Sequence, residues 1–303
     1  MSHIKSTFSI KDLENFSGIK AHTIRIWEKR YGLLNPERTD TNIRFYSLES
    51  LKKLLNIALL NSEGVKISKL ANLEGQSFDK LLNDTVLNKV NKNQFVNKLK
   101  IAMLNFDYIL FEKAYSEIAK ELSFSEIFTN YFIPFLGDIG LLWQSGSIDP
   151  SHEHFVSNII RQKILLESYH LQVEEVIKDD KIFILFLPDD EIHDLGLTYL
   201  QYEVLKAGFK SIMLGSSVPI DSLERFISNK QEVIFVSFFT VQPTIEKLPE
   251  YLQDFYCKLL ANNNAKFFIL GKQVEYINKE LQIPDQIVLY KSIDQIITEI
   301  NTI

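Results

Sequence analysis

The chain has 303 residues, of which 46% are hydrophobic and 24% charged, and this length and composition favour a globular protein of two or three domains. Its single cysteine, Cys257, excludes an internal disulfide framework and any multi-cysteine metal site, and it suits a reducing cytoplasm. The sequence contains no run of about 18 apolar residues, so a membrane-spanning helix is not expected. The residues from Met1 to Ser6 lack the apolar stretch of a secretion signal.

Charge is unevenly distributed along the chain. The net charge is −6, yet residues 1–75 carry 12 Lys+Arg against 8 Asp+Glu. The remaining residues carry 21 basic and 31 acidic side chains. A basic head on an acidic body predicts that the head alone binds an anionic partner.

The head has the pattern of a winged helix-turn-helix. Ser9 is a candidate cap for a short helix that ends at Gly18, and a second helix begins near His22 and stops at Gly32. Two short helices joined by a tight turn are typical of a motif whose second helix enters the major groove of DNA. The next segment lacks helical periodicity, which predicts a two-stranded wing. Ser47 then caps an amphipathic helix, and a last short helix ends the head.

A small helical domain with a solvated basic face would show the same spacing. The string from Thr23 to Arg38, followed by Asn42-Ile-Arg-Phe-Tyr46, resembles the winged-helix head of the MerR family of bacterial transcription regulators. The resemblance implies that the second helix and the wing bind an operator in double-stranded DNA. The residues it places at DNA are His22, Thr23, Arg25, Arg30, Tyr31, Arg38, Arg44 and Tyr46, although packing in the core is an equal alternative for Tyr31 and Tyr46.

Residues 80–175 are predicted to form a four-helix bundle, because apolar side chains recur at helical spacing between short loops. The predicted helices begin near Asn91, Asp107, Ser123 or Ser125, and Pro150. The third is expected to continue through Pro134, and Glu74 to Ser77 is the expected linker to the head.

Residues 180–303 alternate strand and helix patterns, which predicts a doubly wound, five-stranded parallel sheet in the flavodoxin-like order 2-1-3-4-5. The predicted strands are 182–187, 211–214, 233–236, 266–270 and 287–289. Helices are predicted at 197–208, 221–228, 243–260, after 271, and at 292–300, with 237–240 as a loop.

His193 lies in the loop after the first of these strands, at the sheet edge where open parallel sheets bind their ligands. Glu191 and Asp194 are both candidates to hold its second ring nitrogen. A solvated loop histidine is the simpler interpretation. No Gly-x-Gly-x-x-Gly follows the strand, which argues against a dinucleotide site.

A helical bundle followed by such a sheet resembles the cobalamin-binding module of methionine synthase and corrinoid proteins. That family's Asp-x-His-x-x-Gly loop supplies a histidine to cobalt, and here the loop is Glu191-x-His193-x-x-Gly196. The whole chain is similar to cobalamin-dependent MerR-type repressors, some of them light-sensing, which carry Trp-x9-Glu-His in the bundle. The resemblance assigns Trp143, Glu153, His154, Glu191, His193, Asp194, Gly196, Ser237 and Gly271 to the cofactor, with His193 as the cobalt ligand.

Some positions depart from the family pattern. The family's Ser-x-Leu appears here as Ser237-Phe238-Phe239, its Gly-Gly as Gly271-Lys272, and the histidine after the tryptophan in light-sensing members as Gln144. Lys272 puts a long side chain where the cofactor's nucleotide tail needs room, and Lys272 and Phe239 together favour a regulator that has lost cobalamin.

The sequence therefore predicts a cytoplasmic DNA-binding regulator, not an enzyme, in three domains at 1–75, 80–175 and 180–303. It would be a homodimer or homotetramer whose assembly or DNA affinity is controlled by a cobalamin, adenosylcobalamin or methylcobalamin, bound between bundle and sheet. The alternative is a MerR-type regulator that has lost cobalamin and senses another ligand or a partner protein. A corrinoid enzyme subunit is disfavoured by the DNA-binding head, and a DNA-bridging protein would show no ligand-dependent affinity.

Overall fold

The structure is a computed structural model that describes residues 7–73, 77–78, 81, 92–172, 178–227, 231–277 and 282–303. The chain divides into two compact units, Met1–Ile159 and Ile160–Ile303, each described here by itself. The expected linker, apart from Ser77, and the expected helix start at Asn91 lie outside the described residues. The three predicted domain boundaries stay a prediction.

The head combines a small antiparallel sheet with short helices. Strands β1 (Thr7–Ser9), β2 (Glu37–Arg38) and β3 (Arg44–Ser47) pair in the order β1-β3-β2. The helices are α1 (Ile10–Ser17), α2 (Ala21–Tyr31), α3 (Leu48–Ser62) and α4 (Ile67–Ala71). The predicted helices and wing are confirmed, while β1 is an addition that the sequence did not reveal.

Local chemistry explains where α1 and α2 begin and end. Ser9 caps α1 in a reciprocal box: its hydroxyl accepts the Asp12 N–H at 3.1 Å, and the Asp12 carboxylate accepts the Ser9 N–H at 2.7 Å. Gly18 and Gly32 end the two helices in the left-handed region, at φ 72° and 61°, where a side chain would add strain. The caps predicted from the sequence are therefore confirmed.

The predicted helices of the second segment are also present. They are α5 (Lys92–Asn105), α6 (Tyr108–Ile118), α7 (Phe124–Ile127), a π-helical segment (Phe128–Phe132), α8 (Ile133–Gln144) and α9 (Pro150–Gln172). The third predicted helix does continue through Pro134, because the wider π-helical segment precedes the residue that cannot donate an N–H. Phe132, fully buried, is a centre of the core, with the rings of Phe111, Tyr115 and Phe95 each about 6.2 Å away.

The second unit contains a parallel sheet. Its strands are β4 (Lys178–Phe186), β5 (Phe209–Gly215), β6 (Glu232–Phe238), β7 (Ala265–Leu270) and β8 (Ile287–Leu289). Its α-helices besides α9 are α10 (Leu195–Lys206), α11 (Leu248–Phe255) and α12 (Ile293–Thr302). The order β5-β4-β6-β7-β8 confirms the predicted 2-1-3-4-5 topology.

Both faces of this sheet are buried. Ile182, Ile184 and Phe186 of β4 point into one apolar core, and the alternating Phe183 and Leu185 point into the other. This explains why the second half of β4, Ile182–Phe186, has an unbroken apolar sequence rather than an alternating one.

Four details of the predicted α/β pattern were wrong. The helix predicted after Gly271 is a short 3₁₀-helix, Lys272–Tyr276. The segment predicted as a helix at 221–228 is a 3₁₀-helix, Ile220–Phe226, and Ser237 and Phe238, predicted in a loop, end strand β6. The helix predicted from 243 begins only at Leu248. The backbone N–H groups of 240–242 donate to a carboxylate instead of entering a helix.

Within the described ranges, no helix combines the length and apolar character that a bilayer span requires.

Candidate functional site

Helix α2 presents a basic surface. His22, Arg25 and Arg30 are exposed on it, while Thr23 and Tyr31 are partly buried. The Arg30 guanidinium lies 5.2 Å from the centre of the Tyr31 ring, and Tyr31 packs against the core of the head. Exposed cations on the second helix of a helix-turn-helix are suited to the floor and walls of the major groove.

The two wing arginines have different surroundings. Arg38 is exposed and donates to the Asn42 side-chain oxygen at 2.6 Å across the hairpin, so its guanidinium lies beside the wing tip. Arg44 is partly buried, and its Nε lies 3.4 Å from the Glu28 carboxylate of α2. Arg38 is free to meet a phosphate, whereas Arg44 also fastens the wing to α2.

Tyr46 is placed differently from the prediction that it contacts DNA. Its side chain is fully buried, and its hydroxyl donates to Glu28. Burial, together with that hydrogen bond to a carboxylate, raises the pKa of Tyr46 well above its ordinary value. Tyr46 is therefore a core residue that positions the wing, because the same strand must pack on α2 and α3.

The His193 loop is held by one buried carboxylate. Glu191 has a fully buried side chain, and its Oε1 lies 2.6 Å from His193 Nδ1 and accepts the backbone N–H of His193 at 3.0 Å. Its Oε2 accepts the N–H groups of Thr240, Val241 and Gln242 at 3.2, 2.6 and 2.9 Å. The His193 side chain is 53% exposed, so its Nε2 is left for a ligand.

These donors decide the charge of Glu191. Burial alone raises the pKa of a carboxyl group, but the backbone N–H groups of Gln242, Val241 and His193 outweigh it and lower the pKa of Glu191 to about 2. Glu191 is therefore ionised at neutral pH and fixes the proton of a neutral His193 on Nδ1.

Asp194 does not share this task. Both of its carboxylate oxygens accept from Arg161 of α9, at 2.6 and 2.7 Å. Of the two acids proposed to hold His193, only Glu191 does so. The sequence did not reveal that Arg161 binds Asp194. The only sequence signal for a role of Arg161 is weak: it lies on the same face of α9 as Glu153, eight residues earlier.

Of the remaining predicted cofactor residues of this unit, Ser237 and Gly271 lie at the carboxyl ends of β6 and β7, and Gly196 lies in the first turn of α10. A Cβ on Gly196 would come within 2.9 Å of the Phe238 ring, and one on Gly271, at φ +112°, would come within 2.3 Å of the Phe239 backbone. Ser237 is fully buried, and its hydroxyl has no hydrogen-bond partner among the described residues. A buried hydroxyl without a partner is unfavourable unless a ligand supplies one.

The predicted cofactor residues of the bundle belong to the other unit. Trp143, near the end of α8, is 52% exposed. On α9 the Glu153 carboxylate accepts from Ser157 and lies 2.9 Å from His154 Nδ1, and the His154 side chain is 73% exposed. An exposed tryptophan and an exposed histidine are available to a ligand, in contrast to the buried His152 nearby.

The residues around His193 bear on whether a cobalamin fits. Among the residues that the structure describes, no group of three or more His, Cys, Asp or Glu side chains forms a metal site. The His193 imidazole, oriented by Glu191 and 53% exposed, suits a metal that brings a macrocycle as its other ligands. The Lys272 side chain, which the sequence placed in the way of the nucleotide tail, is exposed to solvent. The Phe238 ring lies against Gly196, so a nucleotide tail in this position would have to displace the ring. The axial donor set fits.

Comparison with known proteins decides the family. Residues 8–76 match the family model described as MerR HTH family regulatory protein, and residues 96–166 match the one described as B12 binding domain. The chain is a MerR-type transcriptional regulator with a B12-binding domain. This confirms the predicted family and DNA binding through the head, and it places the regulator outside the enzymes.

Two relatives support this assignment, and a solved structure supports the fold. The regulator is 25% identical over 227 residues to the HTH-type transcriptional repressor CarH of Myxococcus xanthus, covering 73% of this chain and 75% of the relative. It is 22% identical over 256 residues to CarA of the same organism, covering 82% of each. The Methanosarcina barkeri monomethylamine corrinoid protein shares the fold, with a TM-score of 0.55 and 15% identity over 70% of this chain and 97% of that one.

Proposed function

We propose that this regulator senses a cobalamin, with His193 as the lower cobalt ligand, and that the bound cofactor controls its assembly or its affinity for an operator. The observation that carries the proposal is the contact between His193 Nδ1 and the buried Glu191 carboxylate at 2.6 Å. A bound cobalamin would supply a cobalt ion with an exchangeable upper ligand.

The chain's own residues do three things in this proposal. Glu191 holds the Nδ1 proton, which leaves the Nε2 lone pair of a neutral imidazole directed away from the carboxylate. The backbone N–H groups of 240–242 keep Glu191 ionised and immobile. Ser237 offers a buried hydroxyl to the nucleotide end of the cofactor.

The upper face is assigned by resemblance and by exposure. Trp143, Glu153 and His154 would cover the corrin ring from the bundle, so that the cofactor is bound between bundle and sheet. Two of these side chains, Trp143 and His154, are more than half exposed and free to do so. A ligand that contacts two parts of one chain favours the state in which both contacts are made.

The head is the part of the chain that would bind the operator. Exposed His22, Arg25 and Arg38 would contact the operator, with Arg38 on the phosphates. Two heads in a symmetric homodimer or homotetramer would fit a near-palindromic operator.

Gel filtration and operator binding test the proposal together. Each is measured in the dark, with and without adenosylcobalamin or methylcobalamin, for the wild type and for His193→Ala. We expect the cofactor to change elution volume or operator affinity of the wild type, and to leave His193→Ala unchanged. An identical wild-type response with and without either cobalamin would refute it.

A second candidate function rests on Phe238. Because its ring lies against Gly196, the space for a nucleotide tail is partly filled. A regulator that has replaced cobalamin by a smaller ligand would use the same His193 loop. Phe238→Ala distinguishes the two candidate functions. It should tighten cobalamin binding only if the Phe238 ring occupies space that the nucleotide tail of the cofactor needs.

A further inference from the structure

Helix α1 of the head contacts the end of α8 through one asparagine. Asn15 Nδ2 donates to Ser147 Oγ at 3.1 Å and to Ser145 Oγ at 3.3 Å. The two serine hydroxyls lie 3.0 Å apart, Ser147 is fully buried, and Ser145 also donates to the Leu142 carbonyl at 3.0 Å. We call Asn15, Ser145 and Ser147 the Asn15 clamp.

A second contact joins the same two helices one residue further along α1. Lys100 Nζ, on α5, lies 3.4 Å from the Phe16 carbonyl and 3.5 Å from the Asp138 carboxylate of α8. The Lys100 side chain is only 15% exposed, whereas the Asp138 side chain at the other end of this charge pair is 53% exposed. Helix α1 is therefore joined to the end of α8 directly by the Asn15 clamp and to α8 indirectly through Lys100 of α5.

The space beside these contacts is not filled by protein. An open cleft of about 390 Å³ lies beside the Lys100 contact and is lined by side chains of α1, α3, α5 and α8, among them Phe16, Phe135 and Asp138. Close-packed interfaces resist sliding because every atom has neighbours. Here α8 can shift relative to α1 with less steric resistance, and the polar contacts then decide whether α1 follows.

We propose that the Asn15 clamp transmits occupancy of the cofactor site to the DNA-reading helix. Trp143 lies two residues before Ser145, at the end of α8. Asn15 lies three residues before Gly18, the turn that leads into α2. Any displacement of the α8 terminus when a ligand contacts Trp143 is thereby passed to α1 and on to α2, which packs against it. The inference rests on the proposed function.

The three clamp residues touch neither DNA nor the cofactor in this proposal, so they are positioning residues. Their removal should leave both binding events intact and abolish the coupling between them. Coupling is measured as the ratio of operator dissociation constants with and without cofactor.

The experiment uses the full chain and an operator duplex selected from random DNA with the wild-type protein. Operator affinity is measured by fluorescence anisotropy in the dark, with and without adenosylcobalamin. The variants are Asn15→Ala, Ser147→Ala and Asn15→Asp, whose carboxylate can accept from the serine hydroxyls. Asn61→Ala is the matched control, because Asn61 makes one side-chain bond of 3.1 Å, to the Val65 carbonyl, inside the head and away from the clamp.

We expect a wild-type ratio of about 10, within the usual range of allosteric coupling, which falls below about 2 in Asn15→Ala and Ser147→Ala. The Asn61→Ala control and Asn15→Asp keep a ratio near that of the wild type. Cobalamin absorbance and affinity should be the same in all variants.

Two results would overturn the inference, and they differ. If the wild type responds and both alanine variants respond equally, the clamp transmits nothing, although the proposed function stands. If the wild type itself shows no ligand-dependent ratio and no cobalamin spectrum, the proposed function fails and the inference fails with it.

Discussion

Glu191 makes the largest set of hydrogen bonds in the His193 loop. Its carboxylate accepts from the backbone of 192 and 193 on one oxygen and from the backbone of 240–242 on the other. One side chain therefore ties the loop after β4 to the loop after β6, at the point where the strand order reverses. The sequence offered Glu191 and Asp194 equally, because nothing in the spacing revealed that Arg161 would take Asp194.

Glu191→Gln should weaken cobalamin binding. An amide still accepts one hydrogen bond, but it carries no charge to hold the His193 proton on Nδ1. Loss of such an outer partner typically costs about 10- to 100-fold in metal affinity. Absorbance titration with adenosylcobalamin in the dark measures the change, and Asp190→Asn, one residue earlier and exposed, is the matched control. Equal affinity of Glu191→Gln and wild type would contradict the assignment.

The same carboxylate predicts a pH dependence of stability. Its pKa is lowered from 4.5 to about 2 in the folded state, so it stabilises the fold above pH 4.5. That contribution, on the order of 3 kcal/mol, is lost as the pH falls from 4.5 towards 2. Urea unfolding of wild type and Glu191→Gln should therefore converge over this range. Two parallel stability curves through pH 3 would count against it.

At the scale of elements, apolar periodicity predicted much of the fold. The run in β4 and the repeats in α8 and α9 are long enough to define an element by themselves. The three-residue strand β1 is too short to show a period, and it forms because β3 offers it a partner. The late start of α11 was equally hidden, since the amides before it are used by Glu191, a residue about fifty positions away.

Helix α2 and the wing allow a direct test of contact against packing. Arg25 is exposed, so Arg25→Ala should weaken operator binding by about 1–3 kcal/mol and leave the melting temperature unchanged. Tyr46 is buried, so Tyr46→Phe removes the hydroxyl that donates to Glu28 Oε1 and should lower stability by about 1–3 kcal/mol. Anisotropy and thermal melts separate the two effects. A Tyr46→Phe protein with full stability and weak DNA binding would restore Tyr46 as a contact.

Alanine substitutions at two glycines should change the stability of the protein in opposite directions. Gly271→Ala should destabilise the protein by about 1–3 kcal/mol, because its φ of +112° and the Phe239 backbone 2.3 Å away leave no place for a Cβ. Gly137→Ala, in α8 with no atom within 4 Å of the new Cβ, should stabilise it by up to about 1 kcal/mol. Urea midpoints measure both. A stable Gly271→Ala protein would mean that the loop after β7 is not built as described.

For the whole molecule, the basic N-terminal segment and the oriented histidine belong to one chain. The head and the helices after it share one compact unit, and the sheet that carries His193 forms the core of the other. The family of the whole chain could be predicted because two individually weak motifs, Trp143-x9-Glu-His and Glu191-x-His-x-x-Gly, follow a head whose sequence is specific to the MerR family. The Asn15 clamp could not, since Asn15 and Ser147 are 132 residues apart and neither belongs to a motif.

The central claim is a bond between His193 and cobalt, and the absorption spectrum of bound cobalamin tests it most directly. Wild type and His193→Ala are each mixed with hydroxocobalamin in the dark, and their spectra are compared before and after addition of free imidazole. The account predicts a shifted spectrum for the wild type, no shift for His193→Ala, and recovery of the shift when imidazole is added. A spectrum of free cobalamin in the wild type, or the same shift in both proteins, would contradict it.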